Sequence, residues 1–204
     1  MDFLTKKRVK NGGQIQQYHI EENHEAIIDP LVWEAEQHEH QRRNNYREEH
    51  GLNALLRTPE ANPFTGKVIC GTCNQSFRRR GWKTGERYRN VWQCQECYRA
   101  KGVQGCTNRH VDEAILEQAF KMAWNALIDN RDEIKERWET IAEFGNPLEQ
   151  FRGVQFADIT EKAKHITDFK IDFMLKTLDH ITVFESGKLV VTFMDGTVIE
   201  CNGE

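Results

Sequence analysis

Serine is almost missing from this chain, with only Ser76 and Ser186 among 204 residues. No apolar run reaches the length of a membrane span, and Met1-Asp2-Phe3-Leu4 has neither the basic nor the apolar region of a secretory leader. His-Glu-x-x-His does not occur, which excludes that class of metalloprotease. No His-x-Glu segment stands in a plausible ligand setting, and Ile69 rather than proline precedes Cys70, so the zinc deaminase pattern is excluded too. These gaps predict a chain of the reducing cytoplasm with no membrane partner. A hydrophobic share of 38% and a charged share of 29% allow one moderate core or two small ones.

Cysteine, by contrast, is concentrated. Of the six cysteines, Cys70, Cys73, Cys94, Cys97 and Cys106 fall between Gly66 and Asn108. Cys70-Gly71-Thr72-Cys73 reads as a knuckle, a tight turn that aims two thiolates at one tetrahedral ion. A second sulfur pair begins after 20 intervening residues, enough for two short strands out and back. The metal then closes the base of a β-ribbon. A tetrahedral site needs four ligands, and spacing favours the symmetric choice of Cys94 with Cys97, while Cys94 with Cys106 stays open. The competing reading, a disulfide set or buried apolar thiols, is disfavoured in a chain with no leader. Four thiolates fill the coordination shell, so the ion is structural.

The net charge of -4 conceals a strong asymmetry. From Gly66 to His110, Lys67, Arg78, Arg79, Arg80, Lys83, Arg87, Arg89, Arg99, Lys101 and Arg109 face only Glu86 and Glu96. Acidic residues dominate from Asp112 to Glu143. One module is therefore suited to a polyanion. Within it, alternation along a strand puts Arg78 with Arg80 on one face and Arg87 with Arg89 on one face. Such a surface can sit on phosphates, and an arginine reaching the major groove can grip guanine. Lys6, Lys7, Arg8 and Lys10 form a second basic approach. Trp82, Tyr88 and Trp92 are either ribbon core or part of that surface.

The stretches NPFTGKVICGTC, VWQC and GCTNRHVDEAIL resemble the zinc-ribbon domain of large serine recombinases, the integrases and transposases of mobile elements. Upstream, YHIEENHEAIIDPLVWEAEQ resembles the end of their recombinase domain, and ITVFESGKLVVTFMDGTVIE resembles their terminal segment. The resemblance implies Cys106 as the fourth ligand beside Cys70, Cys73 and Cys94, with zinc as the ion and Cys97 spare. It also implies attachment-site duplex DNA as the partner, contacted through the ribbon arginines and the Lys6–Lys10 segment. Self-association or a separate catalytic recombinase subunit are further implied partners. The resolvase-type catalytic domain has no counterpart in this sequence, so the chain is expected not to cut DNA by itself. The alternative is a zinc-ribbon interaction module that binds protein or RNA.

The expected fold class is α+β. Residues 1–47 read as the end of a recombinase DNA-binding domain with a linking helix from Leu31 to about Arg47, started by Asp29-Pro30. Residues 48–64, with Gly51, Pro59 and Pro63, read as a linker. Residues 65–204 hold the ribbon, a long helix from Val111 to about Phe144 and a possible shortened coiled coil. They end in a three-stranded meander with Asp195-Gly196 as a hairpin turn. A short helix capped by Thr167-Asp168 precedes that meander.

Overall fold

The chain is an α+β protein in a computed structural model that describes residues 5, 8, 10–13, 16, 18, 25–52, 62–98, 102–103 and 105–202. Its contacts divide it into two units, Met1–Pro30 and Leu31–Glu204. In the first, Arg8 and Lys10 are exposed, and Gly13 takes a φ of +103° with its N–H on the Asn11 side chain at 3.1 Å. Lys6 and Lys7 lie outside the described residues, as do most of residues 14–20, whose alternating pattern suggests strands flanking the Gly12-Gly13 turn.

The second unit begins with helix α1 (Pro30–Glu49), which starts at proline because a missing N–H costs nothing there. Its inner face carries Ala35 and Glu39. The Glu39 carboxylate receives Arg42 Nε at 2.9 Å, Arg43 Nε at 2.6 Å and Arg152 at 2.6 Å. Arg42 is drawn inward because it also pairs with Asp179 at 2.9 Å. Near the end of α1, the Tyr46 hydroxyl donates to the Gly66 carbonyl at 3.1 Å and the His50 ring meets the Asn74 carbonyl at 2.7 Å. The helix thus belongs to the same compact unit as the cysteine-rich region, and at the start of the expected linker Asn74 donates to the exposed Glu49 side chain at 2.8 Å. Residues 53–61 lie outside the described set.

Two sheets follow. Strand β1 (Val68–Cys70) pairs in parallel with β5 (Leu178–Val183), which continues antiparallel into β6 (Lys188–Phe193) and β7 (Val198–Asn202). Strands β2 (Phe77–Thr84), β3 (Arg87–Cys94) and β4 (Val111–Asp112) make the second sheet in that order. The predicted meander is therefore present, and the strand leading into the knuckle completes it as a fourth strand. Gly196 adopts a φ of +81°, as the Asp195-Gly196 turn requires.

The helix predicted over Val111–Phe144 is divided. Val111 and Asp112 form β4, α2 spans Glu113–Asp129, Asn130 interrupts, and α3 spans Arg131–Phe144. Leu116, Ala119, Phe120, Ala123, Trp124 and Leu127 form the buried stripe of α2, at three- and four-residue steps. The stripe faces β6 and β7. Phe120, Trp124 and Phe156 surround Phe193, with ring centroids 5.9–6.4 Å apart. Each such aromatic side chain contributes on the order of 2–3 kcal/mol by leaving water.

Helix α4 (Pro147–Glu161) is not among the elements expected from sequence, where Gly145-Asn146-Pro147 reads only as a terminator. The signal was present: the Asn146 side chain accepts the Leu148 and Glu149 N–H groups while Glu149 reaches back to the Asn146 N–H, a capping box with proline in the first turn. Periodicity hid it, because Gly153, Phe156 and Thr160 are buried while Phe151 and Val154 are half-exposed on other faces. Helices α3 and α4 form an antiparallel hairpin that lies against the body. Trp138 Nε1 donates to Asp195 at 2.6 Å, Arg137 to the Asp195 carbonyl at 3.1 Å, and Arg152 holds α1. Helix α5 (Ile171–Thr177) has no side-chain cap. Phe169 precedes it, its ring stacked on Phe64 at 5.5 Å and edge-on to Phe120 at 6.0 Å.

Asp195→Ala leaves the indole and Thr197 N–H donors buried without acceptors; urea unfolding is expected to show a loss of about 2–3 kcal/mol. Burial raises the Glu39 pKa, but its Arg42 and Arg43 bonds and the Arg152 charge outweigh it, so the carboxyl titrates below its ordinary value. The stabilisation is therefore complete above the unfolded pKa, near about 4.3, and is lost as pH falls through the lower folded value. Glu39→Gln should flatten that acid limb of the stability–pH profile; an unaltered limb would place the sensitivity elsewhere.

Candidate metal centre and basic face

The knuckle forms at the end of β1. Gly71 is needed there because a Cβ would stand 2.6 Å from the Phe184 ring, and its N–H donates to the Val183 carbonyl at 2.8 Å. Asn74 turns the chain back with a φ of +60°, and the Cys70 N–H reaches the Gln75 carbonyl at 2.9 Å. Cys94 ends β3 opposite Phe77, the first residue of β2. The fourth approach comes from a loop in which Gly105 lies directly on the Glu96 carbonyl, leaving no space for a side chain, while the Cys106 N–H donates to that carbonyl at 3.2 Å.

These turns bring the sulfurs of Cys70, Cys73, Cys94 and Cys106 within 4.8 Å of one another. Cys70 and Cys106 are separated by 3.6 Å, Cys73 and Cys94 by 3.4 Å. A tetrahedron with metal–sulfur bonds of about 2.3 Å has edges of about 3.8 Å, so the set can close on one ion with small adjustments. All six cysteines are free thiols, which sets aside the disulfide reading. Cys97 is not in the group of four; its thiol points to the Asn108 carbonyl at 3.7 Å. The Cys94–Cys97 turn is closed by a backbone bond, Cys97 N–H to the Cys94 carbonyl at 3.2 Å, and the Gly105–Cys106 loop brings Cys106, the residue the family resemblance implied, to the other three sulfurs.

Electrostatics within the group are uneven. Burial raises Cys70, but the Asn108 amide and the Cys73 and Thr72 backbone groups outweigh it and bring the thiol down to about 7. Burial pushes Cys73 up to about 11 and Cys94 higher still. Four soft sulfur donors with Cys70 poised to ionise suit a zinc-type ion, whose charge offsets the burial cost for the others.

The β2–β3 register decides the basic face. Arg78, Arg80 and Trp82 of β2 stand opposite Gln93, Val91 and Arg89 of β3, and residue 84 opposite Arg87. The two predicted arginine pairs are therefore on a single side of the ribbon. Arg80 and Arg87 are exposed. Arg78 bonds Gln95 at 3.2 Å, and Arg89 bonds Asp112 at 3.0 Å with its guanidinium 5.4 Å from the Trp82 ring centre. His110 tilts against the other part of that indole, 4.5 Å between centroids. Arg79 and Lys83 belong to the opposite side, and Arg79 makes a two-bond fork to Glu113 at 2.7 Å each. Trp92 Nε1 joins the same carboxylate at 2.9 Å, which makes Trp92 ribbon core, whereas Tyr88 is 68% exposed.

The fold and site define a β-ribbon closed by four thiols at its base. Residues 63–125 match the family model of the recombinase zinc beta ribbon domain, which supports a recombinase-type zinc-ribbon region here. The match ends within α2, so α3, α4 and the β5–β7 meander lie beyond it. No curated protein and no solved structure matches the chain. Among the described residues no helix is long and apolar enough to cross a membrane.

Cys106→Ser should lose stoichiometric metal by elemental analysis, whereas Cys97→Ser should keep one ion per chain. Metal retained by Cys106→Ser and lost by Cys97→Ser would reverse the assignment.

Proposed function

We propose that this chain binds duplex DNA as the zinc-bearing, non-catalytic part of a large serine recombinase. Zinc, held by Cys70, Cys73, Cys94 and Cys106, serves as a structural ion. The observation that carries the reading is the coincidence of a recombinase zinc ribbon with a single arginine-bearing side formed by Arg78, Arg80, Arg87 and Arg89. On this reading Arg80 and Arg87, both exposed, make the phosphate contacts, and Arg89, braced by Asp112 and Trp82, is positioned to reach a base edge. Arg79, whose Nε and one terminal nitrogen are engaged by Glu113, serves on this reading mainly as support. Lys83, on the other side with Tyr88, gains a flanking role. Arg8 and Lys10, both exposed, provide a second basic segment, to which Lys6 and Lys7 add charge.

Strand cleavage on this reading comes from a resolvase-type catalytic domain, in line with the chain or as a separate subunit, and the work takes place in the reducing cytoplasm. The residues beyond the matched region act as a base for the ribbon. The α3–α4 hairpin, fastened through Asp195 and Glu39, is less suited to a projecting synaptic coiled coil than to that supporting role.

Anisotropy titrations with an attachment-site duplex test the reading. Affinity should fall steeply with added salt, by roughly 0.9 in log–log slope for each phosphate neutralised. Arg80→Ala with Arg87→Ala should lower both the affinity and the slope, by roughly one unit per contact. Arg79→Ala should chiefly lower the melting temperature. Salt-insensitive binding, or full affinity in the Arg80/Arg87 double variant, would favour a protein-binding module instead.

A further inference from the structure

We propose that Asn108 is a positioning residue for the metal centre: it fixes the Cys70 thiolate by an N–H···S bond and anchors that sulfur to β5. The inference rests on the four thiols being a metal centre. Asn108 is 4% exposed, and its amide nitrogen donates to Cys70 Sγ at 3.1 Å and to the Val183 carbonyl at 2.7 Å. Both neighbours are acceptors, so the nitrogen, not the oxygen, must face them. The amide oxygen is left buried without a partner, a cost that the two donated bonds must outweigh.

The Val183 carbonyl is also the acceptor for the Gly71 N–H of the knuckle, at 2.8 Å. One carbonyl on β5 thus receives both the turn that presents Cys70 and the side chain that bonds its sulfur. A second donor, the Thr72 N–H, lies 3.4 Å from the same sulfur. An N–H directed at a thiolate stabilises its charge and orients its lone pairs, and partners of this kind around metal ligands set affinity as well as geometry. Asn108 therefore extends the metal centre into the C-terminal meander, beyond the matched ribbon.

Cobalt(II) substitution of the full chain tests this, because its sulfur-to-metal charge-transfer band reports electron density on the coordinating sulfurs. Asn108→Leu removes both donors at similar volume, and Asn108→Asp keeps the shape while facing the sulfur with a carboxylate. Both variants should bind cobalt about 10- to 100-fold more weakly in chelator competition, with the band moved to lower energy. A folded Leu variant with parental affinity and an unmoved band would overturn the proposal. Weakened binding with an unmoved band would also overturn it, since that is the result of packing alone. Should the Leu variant not fold, the Asp variant gives the same two readouts, and an unmoved band there overturns the proposal in the same way. A parent chain that takes up neither cobalt nor zinc would instead defeat the metal reading itself.

Discussion

The meeting of four thiols at one point is the constraint on which the larger unit depends. Cys70 ends a strand of the four-stranded sheet and Cys94 ends a strand of the three-stranded sheet. Cys73 arrives from the turn after β1 and Cys106 from the loop after β3, and the four sulfurs lie within 4.8 Å. The cluster is therefore the junction of the two sheets, rather than a clasp for a ribbon alone. With zinc in place, as proposed, its charge offsets the repulsion and burial cost of neighbouring thiolates, and the energy of metal binding becomes folding energy for both sheets.

Around this junction, buried and partly buried acidic residues organise much of the positive charge. Glu113 takes Arg79 and the Trp92 indole, holding the start of α2 on the ribbon. Glu39 gathers three arginines and binds α1 to α4. Asp195 fastens the α3–α4 hairpin to the meander. Removing one partner from such a site leaves a buried group uncompensated, which is why these cations are structural. On the exposed ribbon face, Arg89 is held by Asp112 and Arg78 by Gln95, whereas Arg80 and Arg87 are exposed without such a bond among the described residues.

Much of the α+β outline was legible in the sequence for identifiable reasons. The meander announced itself through alternating apolar residues and Asp195-Gly196, and α2 through its stripe from Leu116 to Leu127. Alternation likewise paired Arg78 with Arg80. Helix α4 was missed because its apolar residues are spread over several faces, although Asn146 and Glu149 carried the start signal. The pairings of Arg42 with Asp179 and of Arg79 with Glu113 were not legible because the partners are remote in sequence.

By itself, the sequence determined that two cysteine clusters flank a basic hairpin, since local spacing sets which turns can form and charge composition sets the class of partner. It also determined the periodicities of α2 and the meander. Spacing left Cys97 and Cys106 open and the family resemblance pointed to Cys106, which the tertiary structure brings into the cluster; only that structure decided that β1 belongs to the meander sheet and that the two arginine pairs share one side. Those outcomes depend on strand register and on the close contact of Gly105 with the Glu96 carbonyl. Such long-range fits arise from the packing of distant segments, which no local pattern encodes.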